Sequence, residues 1–176
     1  MSKPSSDNNN FITFRAATEQ DGPQILEMVT QILTKYGLKQ IQDPSDNIDD
    51  DLLNIEKYYF TNNGYLEIVE LNSNSSSIES KIIASCGIYK LSESKCELRK
   101  MYLREEYRGK GLGRKLLERA IEKAKEMNYK QMELETASVL VEALALYEKF
   151  GFSRVIDCED KHLCSRCDII MIKDLV

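Results

Sequence analysis

The chain switches between two hydrophobic periods, and each switch marks an element. Phe11 to Ala16 (F-I-T-F-R-A) steps between apolar and polar residues as a half-buried strand does. Thr18 then offers an N-cap, and Ile25, Met28, Val29, Ile32 and Leu33 recur at helical spacing until Gly37 ends the run. A second helical pattern carries Leu52, Leu53, Ile55, Tyr58, Tyr59 and Phe60. Strand-like runs follow at Tyr65 to Leu71, Lys81 to Leu91 and Cys96 to Leu103, which predicts an antiparallel meander with a polar loop, N-S-N-S-S-S-I-E-S, between its first two strands. The clearest helix follows, with Leu112, Leu116, Leu117, Ala120, Ile121, Ala124 and Met127 on one face and charges elsewhere. A strand at Gln131 to Thr136, a helix at Val139 to Lys149 and two strands near Phe152 to Asp157 and Asp168 to Lys173 complete the order β-α-α-β-β-β-α-β-α-β-β. No repeat or linker divides the pattern, so residues 11–176 are read as a single α/β domain and residues 1–10, rich in Ser, Asn and Asp, as a disordered tail.

Composition narrows the partners. With 42% hydrophobic and 30% charged residues and a formal net charge of -5, the 176 residues read as a soluble protein for which nucleic acid is not the expected ligand. No apolar run approaches the roughly 18 residues that span a bilayer, and the polar first ten residues lack the apolar stretch of a secretory leader. The expected setting is the cytoplasm or the nucleus, with no membrane partner. Five cysteines in such a setting are expected as free thiols, and Cys86 and Cys96, in apolar strands, as small core residues. Cys158, His162, Cys164 and Cys167 spell C-x3-H-x-C-x2-C, open to zinc, to a Cys164/Cys167 redox pair or to a plain hairpin. Common closed zinc sites separate two ligand pairs by a longer spacer, so no metal is expected.

The segment Tyr107 to Glu118, Y-R-G-K-G-L-G-R-K-L-L-E, carries the chemistry. It sets Gly109, Gly111 and Gly113 with the cations Arg108, Lys110, Arg114 and Lys115 at a helix start. The N-terminal end of a helix dipole disfavours each added cation by roughly 0.3–1 kcal/mol, so an anion is expected there. A P-loop requires G-x-x-x-x-G-K-[ST], which the spacing does not meet, and G-x-G-x-G is not the G-x-G-x-x-G of a dinucleotide fold. A loop whose backbone N–H groups cradle a pyrophosphate at the helix N-terminus remains.

Three segments together resemble the GNAT superfamily of N-acetyltransferases: C-E-L-R-K-M-Y-L, then Arg108-Gly109-Lys110-Gly111-Leu112-Gly113, then L-Y-E-K-F-G-F at Leu146 to Phe152. The resemblance spans roughly residues 11–175 and implies a mixed, mostly antiparallel twisted sheet, flanked by helices, that splays where acetyl-CoA enters. It implies acetyl transfer from acetyl-CoA to a primary amine, a small molecule or a peptide amine, by direct attack in a ternary complex. The Arg108 to Gly113 turn and Arg114 are then expected to hold the pyrophosphate, with Lys110 and Leu112 among its residues. Met101, Tyr102 and Leu103 are expected to pair with the pantetheine arm, a backbone N–H near Tyr102 or Leu103 polarising the thioester carbonyl. Tyr147 matches the residue that protonates the departing thiolate, and Glu97 is the first candidate base, with Glu133 and Glu135 behind it. Leu140 stands where many relatives carry an Asn, seven residues before the tyrosine, which turns attention to Ser138 as a polar contact to the cofactor.

Two features bear on the acceptor and the assembly. Asp43, Asp46, Asp49, Asp50 and Asp51 are read either as a solvated helix start or as an acidic lip for a cationic amine. A monomer and a homodimer are both compatible with the final strand as an edge. The rival functions are a non-catalytic acyl-CoA-binding sensor and a zinc-stabilised interaction module.

Overall fold

In the computed structural model, which describes residues 11–38, 47–72, 80–155 and 166–175, the two sequence periods become one sheet and its helices. The strands are β1 (Phe11–Ala16), β2 (Tyr65–Asn72), β3 (Lys81–Lys90), β4 (Lys95–Leu103), β5 (Gln131–Thr136), β6 (Ser153–Arg154) and β7 (Ile169–Asp174). They lie in the order β1-β2-β3-β4-β5-β7-β6, and only β4 and β5 run parallel. That exception follows from connectivity, because a helix carries the chain from the end of β4 back to the start of β5. The helices are α1 (Gly22–Lys35), α2 (Leu112–Glu126) and α3 (Val141–Lys149).

Each helix buries the face its spacing marks out. Ile25, Met28, Val29, Ile32 and Leu33 of α1 pack with Leu66, Ile68 and Ile82 on one side of the sheet. Leu116, Leu117, Ile121 and Ala124 of α2 pack with Leu98, Met132 and Leu134 on the other, where Tyr147 of α3 joins them. Burying one such aliphatic side chain is worth about 1.5–3 kcal/mol, so these two layers hold the sheet from both sides. Thr18 precedes a short turn, Glu19–Asp21, rather than α1 itself, whose N-cap is Asp21; the Thr18 N–H donates to the Asp21 carboxylate at 2.7 Å. Gly37 ends α1 at φ 68°, with the Leu38 N–H reaching back to the Leu33 carbonyl, a termination that needs a left-handed residue.

The second predicted helix is the main correction in the fold. Residues 47–60 form two short helical turns, Asn47–Leu52 and the wider Glu56–Phe60, although Leu52, Ile55 and Tyr59 are buried at helical spacing as read. Asp49 and Asp51 both reach the Lys100 ammonium, at 2.7 and 3.1 Å. Residues two apart do not share a face of an α-helix, so this double ion pair is incompatible with a regular one.

Two irregularities open the sheet. Opposite Ser85 and Gly87 stand Tyr102 and Arg99, so Lys100 and Met101 together face the single residue Cys86. Lys100 takes the bulge at φ 50°, a left-handed conformation uncommon for lysine, and its carbonyl accepts the Ser85 hydroxyl at 2.7 Å. Parallel pairing of β4 with β5 covers Lys95 to Leu98 against Gln131 to Leu134 and stops there. Beyond it β4 continues with β3 and β5 with β7, so the two strands part and a wedge opens between them.

Candidate active site

The wedge holds a cleft of about 760 Å³, bordered by the free half of β4, the end of β5, the start of α2 and one side of α3. The Arg104 N–H donates to Ile83 on β3. Alternation along the strand therefore turns the Tyr102 N–H toward β3 and leaves the Met101 and Leu103 amides on the cleft edge. The Leu103 carbonyl accepts Arg108 Nε at 3.1 Å, which ties this edge to the glycine turn.

The turn itself is built for an anion. Gly109 and Gly111 have φ 73° and 76°, and a methyl group at either would meet nothing within 4 Å, so conformation and not crowding demands glycine. Among the described residues no acceptor takes the backbone N–H groups of residues 109–114. They open the 15-residue helix α2, where the dipole adds to their pull on negative charge. Of the four cations, Arg108 and Arg114 line the cleft. Arg108 also donates to the Tyr36 hydroxyl at 2.9 Å, and Arg114 pairs with Glu118 at 2.9 Å.

Some expected positions fall elsewhere. Lys115 turns to the far side of α2, its ammonium 4.8 Å from the Phe14 ring centroid, because a residue one step after Arg114 sits about 100° round the helix. Lys110 lies over the Tyr107 ring at 5.8 Å, and Leu112 points into the core; neither side chain borders the cleft. Ser138 does not border it either. Its N–H and hydroxyl both donate to the Asp168 carboxylate, at 2.7 and 2.6 Å, which joins the end of β5 to the start of β7. Leu140, by contrast, lines the cleft with an apolar surface.

Tyr147 projects from α3 into the cleft, buried and edge-on to Phe152 with 5.8 Å between centroids. Its hydroxyl has no hydrogen-bond partner among the described residues, and burial pushes the phenol well above its ordinary pKa. On the opposite wall, buried Glu97 pairs with Arg99 at 2.7 Å. Burial raises the Glu97 pKa and outweighs the opposing pull of Arg99. Glu135 also borders the cleft, whereas Glu133 is engaged by Lys95 at 2.5 Å outside it.

The acidic lip is corrected by its partners. Asp49 and Asp51 are buried rather than solvated, and Asp49 pairs with Arg166 as well as Lys100. Tyr59 donates to Asp51 at 2.5 Å. Of the remaining aspartates Asp50 borders the cleft, and Asp43 and Asp46 lie outside the described residues. Cys86 and Cys96 are buried free thiols as expected, but Cys167, at the cleft wall, is disulfide-bonded, contrary to the free-thiol reading. Cys158, His162 and Cys164 lie outside the described residues, so their cluster is not described. Sequence reasoning did not single out Lys100 or Arg166. A lysine inside an apolar strand was the available signal for the first, and the second left none.

These features can be set beside known proteins. The chain matches the Acetyltransferase (GNAT) family over residues 27–152. It is 35% identical over 166 residues to an uncharacterized N-acetyltransferase of Escherichia coli K12, YjgM, covering 85% of this chain and 92% of that one. The chain belongs to the GNAT acetyltransferase family. It is an N-acetyltransferase that uses acetyl-CoA. Among solved structures, a GNAT-family acetyltransferase from Staphylococcus aureus Mu50 superposes with a TM-score of 0.78 at 22% identity, over 94% of this chain and all of that one. The PaiA N-acetyltransferase of Thermoplasma acidophilum, solved with coenzyme A, gives 0.68 at 20% identity over 93% and 99% of the two chains. The N–H groups without acceptors and the open left-handed glycines of the GNAT turn suit the pyrophosphate of that cofactor. Among the described residues no helix is long and apolar enough to cross a membrane.

Proposed function

We propose that this N-acetyltransferase acylates a primary amine held between Glu97 and the β4 edge, with Tyr147 as the acid on the opposite wall. Bound acetyl-CoA supplies the activated acetyl group as a thioester. The N–H groups of residues 109–114, with Arg108 and Arg114, hold the pyrophosphate, and the Met101 and Leu103 amides take the pantetheine arm as a peptide adds to a sheet edge. An N–H on that edge, Leu103 by alternation, faces the thioester oxygen; donors of this type are worth about a hundredfold or more in rate.

Glu97 accepts the proton the amine must lose. Its raised pKa brings it closer to the amine in basicity than an ordinary glutamate. Tyr147 stays protonated at neutral pH and donates its hydroxyl proton to the leaving sulfur. The observation that carries the reading is the convergence on one cleft of the acceptor-free turn, the unpaired β4 edge, Glu97 and Tyr147.

Calorimetric titration of acetyl-CoA into the native chain and into Gly111→Glu tests it. The expected result is micromolar binding by the native chain and its loss in the variant, where bulk and negative charge enter the turn. Absence of binding by the native chain would overturn the assignment.

A further inference from the structure

Arg99 stands two residues from Glu97 on the same face of β4 and borders the cleft. Its guanidinium lies over the Tyr89 ring at 3.9 Å from the centroid, which fixes its plane. One nitrogen, Nη2, is 2.7 Å from Glu97; Nε and Nη1 have no hydrogen-bond partner among the described residues. The side chain is 33% exposed, and the exposed part faces the cleft. A guanidinium carries five N–H donors in a rigid fork that matches a carboxylate, and a partly buried one leaves those donors costly to strand.

Two of the neighbouring aspartates are paired within the wall. Lys100 and Arg166 are joined to Asp49, and Lys100 and Tyr59 to Asp51, so these aspartates are neutralised within the wall. Arg99 thus presents spare donors beside the proposed base, while Asp50 and Glu135 remain on the border of the cleft.

We infer that the acceptor is an amino acid, bound through its carboxylate by Arg99 with its amine toward Glu97. The inference rests on the acetyltransferase reading and specifies its acceptor. Geometry limits the spacing too. Residues two apart on a strand lie about 6.6 Å apart, and the Glu97 and Arg99 tips are in contact. The amine and carboxylate of the acceptor must therefore be close, one or two carbons apart. Lysine side chains and polyamines have no such carboxylate.

The experiment measures release of free CoA thiol from acetyl-CoA with a panel of L-amino acids, their carboxamides, and the series glycine, β-alanine and 4-aminobutyrate, alongside spermidine. The expected result is acetylation of at least one amino acid, with kcat/KM at least about tenfold above its carboxamide and a fall at 4-aminobutyrate. Arg99→Met raises the acceptor KM by about 10- to 100-fold and brings the acid-to-amide ratio near one, while acetyl-CoA affinity stays within twofold by calorimetry. Arg99→Lys restores only part of the ratio, because charge without the fork is insufficient. Equal use of acid and amide, a preference for spermidine, or an acid-to-amide ratio unchanged in Arg99→Met overturns the amino-acid assignment and leaves the acetyltransferase reading standing. Failure of the native chain to bind acetyl-CoA overturns both.

Discussion

At the scale of single residues, the proposed chemistry rests on two groups whose surroundings push their proton affinities upward for the same reason. Burial disfavours the charged form of both Glu97 and Tyr147. For Tyr147 this protects the acid, so no alkaline loss of rate from its ionisation is expected across an ordinary assay range. Tyr147→Phe should keep acetyl-CoA affinity and lower kcat by about 10²–10⁴-fold; an unchanged kcat removes the acid role. For Glu97 the consequence lies on the acid side. The base works only when deprotonated, so kcat/KM should rise with pH through a pKa above the usual glutamate range. In Glu97→Gln that limb should vanish from the pH–rate profile, and its persistence would remove the base role from Glu97. Glu97 and Tyr147 could be singled out before folding because neighbouring motif residues marked them, and the fold places both on one cleft. For Ser138, a hydroxyl near the motif gave no hint that it would donate to Asp168 away from the cleft.

At the scale of elements, the proposed acceptor wall is the segment 47–60 clamped onto the β4 bulge. Asp49 is buried, and its carboxylate bridges Lys100 of β4 and Arg166 just ahead of β7. Removing one partner of a buried ion pair leaves an uncompensated charge, at a cost of about 3–5 kcal/mol. Asp49→Asn should therefore lower the melting temperature by about 6–20 °C, at roughly 2–4 °C per kcal/mol for a chain of this size. It should also raise the acceptor KM with little change in acetyl-CoA affinity, because the donor turn lies on α2. Loss of acetyl-CoA binding without a change in acceptor KM would contradict the division of the cleft into two walls. The apolar spacing of Leu52, Ile55 and Tyr59 announced burial correctly and helix incorrectly. Periodicity reports which side chains go inside, whereas the backbone path here answers to a lysine about fifty residues away.

At the scale of the molecule, a second network ties the sheet edge to the start of α1. Arg15 of β1 pairs with Asp21 at 2.8 Å and with Glu70 of β2 at 3.0 Å. The Arg15 hydrogen bond holds Glu70 below the ordinary carboxylate range. A depressed pKa means that this stabilisation is present above the unfolded-state value and is lost as pH falls through the folded one. Thermal unfolding followed from neutral to acid pH should therefore show a loss that Glu70→Gln makes shallower. An identical acid slope in the variant would exclude this pair as a contributor.

What the sequence determined alone was the set of local decisions: α1 and α2 from their apolar stripes, the meander β2-β3-β4 from its apolar strand-like runs, and the glycine turn from its clustered glycines and cations at a helix start. Each depends on neighbours within about one or two turns, where propensity and spacing act directly. What tertiary structure decided was everything that needed distant partners. It parted β4 from β5 at Leu98, turned Lys115 away from the cleft, consumed the aspartates in pairs with Lys100 and Arg166, and left Arg99 on Tyr89 with donors to spare. Ion pairs and hydrogen bonds are strongly distance-dependent and carry no period, so their partners exist only once the sheet has brought them together.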